Sequence, residues 1–221
     1  CAIFVAHSNE PNGLQRTRRL FATINRYAKP VSLTEIIALD EDDVVAITCR
    51  DLLENHSLFK KGRVSLKKGK AISPHDDKNV TSLAALYQAM DFYLMNCNPS
   101  KWKAYKAVRP ANESEVQNFI QRGHKFWDRL IDSIPELQRV QDLPSSESLP
   151  GGYRSTKGGD LLFRAIAIPM ITRCLRRAET FGMKEAVFIK RFAKIHRVLN
   201  KTPWLGVLWD GSNMMISEKN I

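Results

Sequence analysis

Residues 32–54 read SLTEIIALDEDDVVAITCRDLLE and carry the clearest folding signals in the chain. Ser32 with Glu35 fits the S-x-x-E capping box, which predicts a helix beginning there. The four acidic residues at 40–43 precede a longer apolar run, which predicts a second helix reaching about Glu54. Four carboxylates in a row can hold a divalent metal, but at a helix N-terminus they also cap free N–H groups and complement the helix dipole. We interpret the run as a helix cap and predict no metal site.

Apolar residues at helical spacing predict most of the remaining structure. A capping pattern at Asn112 and Glu115 supports one of these helices. The predicted helices span about 14–28, 80–97, 113–134, 160–181 and 184–200.

Strands are predicted only in short pieces. The opening CAIFVA at 1–6 is typical of a buried strand, and 60–71 is typical of a hairpin or an exposed loop with one strand around Val64. A turn at Asp210-Gly211 predicts a C-terminal hairpin. The predicted fold class is therefore α+β and predominantly helical, with a short strand at the N-terminus and a hairpin at the C-terminus.

Charge is the first guide to function. The 221 residues contain 34 Lys and Arg against 23 Asp and Glu, a net charge of +11. Such an excess favours polyanionic partners. The longest uncharged apolar runs, such as AIAIPMIT at 165–172, are too short to span a bilayer, so no membrane association is predicted. Four separated cysteines without a CxxC pair indicate reduced thiols in a cytoplasmic protein.

The positive charge is unevenly distributed. Residues 151–201 contain twelve Lys or Arg against three acids, and residues 1–31 contain five against one, whereas 32–60 is acidic. On the helix predicted at 184–200, a cationic face is set opposite an apolar face that should dock on the core. The alternative is an ordinary solvated face, but with the arginines just upstream we predict phosphate contact. The cations concerned are Arg173, Arg176, Arg177, Lys190, Lys194, Arg197 and Lys201, and the apolar residues are Phe188, Phe192, Ile195 and Leu199.

The loop GGYRSTKGGD at 151–160 precedes the helix predicted at 160–181. Backbone N–H groups, Arg154 and Lys157 could hold a phosphate there. The loop lacks the G-x-x-x-x-G-K-[ST] order of a P-loop, so a nucleoside triphosphatase is not indicated.

Catalytic patterns are absent from the sequence. The five histidines show no metal-binding spacing, and there is no G-x-S-x-G nucleophile motif. His75-Asp76-Asp77 is typical of a turn, and His124 of a half-buried structural residue on a helix. We predict no catalytic residue and no cofactor for this chain.

The segment at 16–30 combines cations with an apolar face. Phe21 and Ile24 are interpreted as core residues, and Asn25 as a residue that fixes the loop before Pro30. The cations of this segment and of the loop at 60–71 are predicted to face DNA; they are Arg16, Arg19, Arg26, Lys29, Lys67 and Lys68.

This segment also resembles a known family. An aromatic residue (Phe21), then Ile24-Asn25-Arg26 and Ala28-Lys29-Pro30, followed by an acidic-capped helix containing Arg50, resembles the DGQHR-domain proteins, which include the DndB-like proteins of bacterial DNA phosphorothioate (sulfur) modification systems. The PWLGVLW of 203–209 is similar to that family's C-terminal part. The D-G-Q-H-R motif itself is absent and would lie upstream of Cys1. The resemblance therefore implies a missing N-terminal ParB-like part, and a division into 1–71 (the end of a DGQHR/ParB-like domain) and 72–221 (a mainly helical domain with a basic surface).

The resemblance implies a DNA-binding regulator at a bacterial DNA modification or defence locus. Its partners would be DNA and other proteins of the modification system. One alternative is a ParB-like nucleotide hydrolase or nuclease, such as an ATPase, whose catalytic motif lies upstream of this chain. Another is a protein–protein module that docks through the acidic helix at 40–54.

Overall fold

The computed structural model describes residues 33–215 apart from positions 61 and 68 and the side chain of Ile36. The chain divides into two compact units, Cys1–Ser32 and Leu33–Ile221, and the description below concerns the second. The strand predicted at 1–6, the helix predicted at 14–28 and the motif residues between them lie outside the described residues.

Helices dominate the second unit. The helices predicted at 80–97 and 113–134 are confirmed, and two short helices that the sequence analysis did not predict follow Asn98 and Ile134. In chain order the α-helices of the described residues are α1 Leu33–Leu39, α2 Val44–Asn55, α3 Leu83–Leu94, α4 Pro99–Tyr105, α5 Glu113–Ser133, α6 Pro135–Asp142, α7 Ala167–Thr180 and α8 Glu185–Ala193, with a 3-10 helix at Leu161–Phe163 before α7.

The acidic run at 40–43 acts as a cap. The Asp43 carboxylate accepts hydrogen bonds from the backbone N–H groups of Val45 (2.7 Å) and Ala46 (3.4 Å) at the start of α2. Asp40 accepts from the N–H groups of Asp42 and Asp43 at 2.8 and 3.1 Å. These bonds satisfy donors that a helix N-terminus leaves free. No cluster of three or more His, Cys, Asp or Glu side chains suited to a metal occurs in the described part of the chain.

The strands are two residues long and form two small sheets. β1 (Val64–Ser65) pairs in parallel with β2 (Thr81–Ser82), with Val64 opposite Thr81. β3 (Arg154–Ser155) pairs antiparallel with β4 (Gly158–Gly159) in a tight hairpin. The strand predicted near Val64 is therefore present. The predicted C-terminal hairpin is reduced to a single antiparallel bridge between Trp209 and Met214 around the 210–213 turn.

The core lies between the helices. α3 packs along α7 on one side and against α2 and α5 on the other. Apolar side chains with almost no exposure fill the space, among them Leu86, Met90, Phe126 and Trp127. A smaller cluster under the C-terminal segment contains Leu161, Leu199 and Trp209.

The fold class predicted from sequence, α+β and predominantly helical, is confirmed for the described residues. No helix among them is long and apolar enough to cross a membrane. The predicted domain boundary at 71–72 stays a prediction.

Candidate nucleic-acid interface

Three cations in the first half of this unit are engaged by carboxylates. Arg50 donates to Glu41 at 2.8 Å, and Lys106 donates to Asp91 at 2.8 Å. Arg109 contacts both Glu41 and Glu113. The charge of these three cations is therefore not free for an anionic partner.

Helices α7 and α8, with the turn between them, gather six exposed cations that have no carboxylate within ion-pair distance among the described residues. Glu185, the acid at the start of α8, is held by Arg129 (2.7 Å) and by the Tyr93 hydroxyl (3.2 Å), which removes it as a local counterion. We call the unpaired set the basic face; its members are Arg173, Arg177, Lys184, Lys190, Arg191 and Lys194, all exposed.

Two arginines of the basic face are positioned by aromatic rings. The Arg173 guanidinium lies 5.4 Å from the ring centroid of Phe92, and Arg177 lies 5.0 Å from that of Phe181. A cation–π contact uses none of the hydrogen-bond donors of the guanidinium, so it leaves them available to an anion. Arg173 and Arg177 lie one turn apart on α7, so the helix presents two neighbouring guanidinium groups that suit phosphates.

Arg197 was predicted to continue the cationic face of α8, and this prediction is wrong. The helix ends at Ala193, and the Arg197 side chain is only 8% exposed. It donates to Glu136 at 2.6 Å and contacts Asp160 at 3.3 Å. A backbone bridge between Asp160 and Val198 holds this segment extended, so tertiary pairing replaces the last helical turns. The spacing of 190, 194, 197 and 201 therefore does not describe one face.

Arg154 was predicted to hold a phosphate, and the structure buries it instead. Its side chain is 3% exposed and donates to the backbone carbonyls of Asp76 (2.5 Å), Asn79 (2.9 Å), Val80 (3.2 Å) and Phe163 (2.6 Å). Burial lowers the pKa of Arg154 to about 10, which nearby Asp76 partly opposes. The glycine loop forms the β3–β4 hairpin. Because Arg154 uses its donors on backbone carbonyls of the protein, it is not available to bind an external anion.

The other predicted site residues, cations and family-motif residues together, fall into three groups. Arg176 donates to Glu179 and to the Met95 carbonyl, both at 2.8 Å, and is partly engaged. Lys67, Lys157 and Lys201 are exposed outside α7 and α8. The rest lie outside the described residues: Arg16, Arg19, Phe21, Ile24, Asn25, Arg26, Lys29, Pro30 and Lys68.

An apolar pocket opens beside the basic face, between α7, α8 and the C-terminal segment. Its volume is about 340 Å³, and Arg191 alone is charged among the described residues that line it. We call it the α7–α8 pocket; it is lined by Met170, Ile171, Cys174, Ala178, Met183, Phe188, Arg191, Phe192, Ile195 and Trp204. Burial raises the pKa of the Cys174 thiol, although Arg173 opposes the shift, so the thiol stays protonated at neutral pH.

The apolar face predicted for the 184–200 helix docks on the core only in part. Phe192 is buried in the main core, Phe188 packs against it, and Leu199 is buried in the smaller cluster, as predicted. Ile195 is 40% exposed instead, and it lines the α7–α8 pocket together with Phe188 and Phe192. Ile189, which is 1% exposed, adds a core contact that was not predicted. Sequence reasoning also missed Lys184 and Arg191 in the basic face, although their lack of a nearby acid at helical spacing was a usable signal.

A second buried arginine was missed altogether. Arg63 is 1% exposed and donates to the carbonyls of Pro144 (2.6 Å), Glu147 (2.8 Å) and Lys78 (3.3 Å). Arg63 and Arg154 together bind four backbone carbonyls of the 76–80 loop. Both are structural residues, so the cation count of the sequence overstates the positive surface.

The fold and this surface define a helical domain that offers an unpaired cationic face next to an apolar pocket. The sequence model of the DndB family, described as DNA-sulfur modification-associated, matches residues 3–198. The chain belongs to this family.

Comparison with curated proteins gives more distant similarity. The chain is 25% identical over 182 residues to 2-dehydro-3-deoxyphosphooctonate aldolases of Burkholderia multivorans and Burkholderia cenocepacia. The alignments cover 73% of this chain and 56% of each relative, so the chain spans about half the length of the curated relatives it matches. No solved structure gives a significant match.

Proposed function

We propose that this chain binds duplex DNA through the phosphate backbone, as a regulatory component of a DNA sulfur-modification system. Family membership supports the association with such a system. The observation that carries the DNA contact is the basic face, whose six cations have no acidic partner in the described part of the chain.

The energetics favour an anionic partner. Like charges on neighbouring helical turns repel, and this repulsion is relieved when phosphates replace diffuse counterions. Each phosphate that is neutralised releases condensed cations from the DNA. A plot of log affinity against log salt concentration therefore has a slope of about −0.9 per phosphate contact. Because backbone contacts carry no sequence information, specificity for a particular site needs further groups.

A salt titration tests the proposal. Binding of a fluorescent duplex to the wild-type chain is measured by anisotropy at several salt concentrations, and the slope of log affinity against log salt is determined. The variant Lys190→Ala/Lys194→Ala is expected to reduce this slope by about 2, because two phosphate contacts are lost. Duplex from the promoter of the modification locus, compared with unrelated duplex, tests the regulatory role.

The matched control removes the same charge elsewhere. Lys101 and Lys103 are exposed on α4 and do not belong to the basic face. Lys101→Ala/Lys103→Ala should leave the slope near the wild-type value. Equal effects of the two double variants, or binding that does not change with salt, would refute the proposed surface.

The alternative functions find less support. The acidic helix that could dock a basic partner uses Asp43 as its cap, and Glu41 and Asp51 pair with Arg50 and His124. The aldolase activity of the relatives finds no support at the α7–α8 pocket, whose described lining contains no lysine, histidine or carboxylate that could act on a carbonyl compound.

A further inference from the structure

The α7–α8 pocket is not explained by phosphate contact. A DNA backbone presents charged and polar atoms, whereas the lining of the pocket is apolar apart from Arg191. DNA bound on the basic face would therefore leave a cavity of about 340 Å³ uncovered beside it. Exposed apolar surface of this kind, rimmed by polar residues, is typical of a binding site for an apolar group.

A nucleobase fits the pocket poorly. Base edges carry hydrogen-bonding groups that must find partners when they are buried. In the lining, the Trp204 indole N–H already donates to the His196 carbonyl, and the Arg191 guanidinium alone remains as a strong donor. An apolar side chain, which loses no hydrogen bonds on burial, is the better occupant.

The charges next to the pocket indicate what surrounds that side chain. Arg173 and Arg177 precede the lining residues Cys174 and Ala178 by one position, on the solvent side of α7. Lys184 and Lys194 likewise adjoin the lining residues Met183 and Ile195, just beyond the two ends of α8. Acidic residues flanking the inserted side chain would meet these unpaired cations. A second copy of this chain is disfavoured because its net charge of +11 would be brought against the same positive surface.

We propose that the α7–α8 pocket receives a large apolar side chain from an acidic amphipathic segment of a partner protein. The carboxylates of that segment pair with the basic face. Bound partner and bound DNA therefore exclude each other, which makes partner binding a means of releasing DNA. The exclusion rests on the proposed function, whereas the docking itself does not.

The test uses synthetic peptides and the full chain. A panel of glutamate-rich helical peptides carries Trp, Phe, Leu or Met as the central anchor, and each peptide has one control with the anchor changed to Ala and another with Glu changed to Gln. Protection of Cys174, which lines the pocket, is measured as the rate of maleimide alkylation by mass spectrometry of its tryptic peptide. The same assay is run with duplex DNA and with phosphatidylserine vesicles.

At least one anchored acidic peptide is expected to slow alkylation of Cys174 by about tenfold, and both of its controls should lose most of this protection. Ala178→Phe, which fills the pocket, should weaken this peptide by about tenfold or more while duplex DNA binds as before. If that variant does not fold, Met183→Trp fills the same pocket from the α7–α8 connection, and Cys174 remains available as the probe.

Three outcomes overturn the docking proposal. One is that no peptide protects Cys174 beyond its Ala control. Another is that pocket-filling variants bind the peptide normally. The third is that DNA or the vesicles protect Cys174 and the peptides do not, which assigns the pocket to that partner. The proposed DNA function is tested separately: it fails if binding of duplex DNA to the wild-type chain does not change with salt concentration. Peptide binding that leaves bound duplex in place refutes the exclusion alone.

Discussion

A glycine in the middle of α5 sets how closely that helix approaches α2. A Cβ built on Gly123 would lie 2.7 Å from Thr48 Cγ2, which is 0.7 Å short of the 3.4 Å where ordinary contact begins. Thr48 cannot turn away easily, since it is 0% exposed and its hydroxyl donates to the Val44 carbonyl at 2.7 Å. The side chain is also β-branched and therefore stiff. Gly123→Ala should consequently force the two helices apart.

The expected size follows from two opposing effects. Replacing glycine by alanine inside a helix stabilises it by about 1 kcal/mol. Overpacking a tight core site costs about 1–3 kcal/mol, so we expect Gly123→Ala to lower the free energy of unfolding by about 1 kcal/mol. Thr48→Ser removes the clashing methyl group and keeps the hydroxyl. By itself it should cost about 1 kcal/mol, because a buried methyl is lost.

The two changes should compensate when combined, because the methyl group that Gly123→Ala introduces occupies the space that the Thr48 methyl leaves. Urea unfolding followed by circular dichroism gives the four free energies, and the coupling between the two sites should be favourable by about 1–2 kcal/mol. If Gly123→Ala is instead more stable than the wild type by about 1 kcal/mol, with no coupling to Thr48→Ser, then the close approach of α2 and α5 is refuted.

Further predictions distinguish the structural cations from the binding cations and concern the pH dependence of the free energy of unfolding. Arg154→Gln should lower the free energy of unfolding by about 3 kcal/mol, because buried carbonyls lose their donors. Lys157→Ala on the exposed turn should change it by less than about 0.5 kcal/mol. Equal melting temperatures of the two variants would contradict this expectation. Arg197→Ala should destabilise by about 2–3 kcal/mol, because it leaves the partly buried Asp160 without its cation, and should leave the salt slope of DNA binding unchanged. Burial lowers the pKa of His56 below 6.5, opposed by Asp128 and reinforced by His124, so the folded state resists protonation. The free energy of unfolding should then fall as pH drops below about 6.5, where the unfolded chain takes up the proton first. That decline should shrink in His56→Asn and persist in His75→Gln; urea midpoints that do not change across this pH range would refute it.

Much of the local structure could be predicted from the sequence. Asp43 and Asn112 were recognised as helix caps because a cap depends on a side chain and N–H groups two or three residues away. The apolar spacing of α3 and α5 was likewise sufficient to predict these helices, because the period of a helix is a local property of the sequence. Residues 33–54 illustrate this, with both helices present where the capping signals place them.

The candidate site was predictable only in part. The cations of α7 were assigned to the surface correctly, because Arg173 and Arg177 follow the exposed side of a strongly amphipathic helix. Arg197 was assigned to the same surface and Arg154 to a phosphate-holding loop, but both are buried by partners far along the chain. A cation's sequence neighbours do not show whether a distant carbonyl or carboxylate will desolvate it.

A positively charged, mainly helical protein with a DndB-like signature and well-placed helix caps follows from the order of the residues without any coordinates. Composition, periodicity and capping act over a few residues, so they can be detected without knowing the fold. The folded chain was needed to show where α8 ends, which cations remain unpaired, and that Phe188, Phe192 and Ile195 line a pocket. These features depend on contacts between residues tens of positions apart, and the energy of such contacts appears only once folding brings them together.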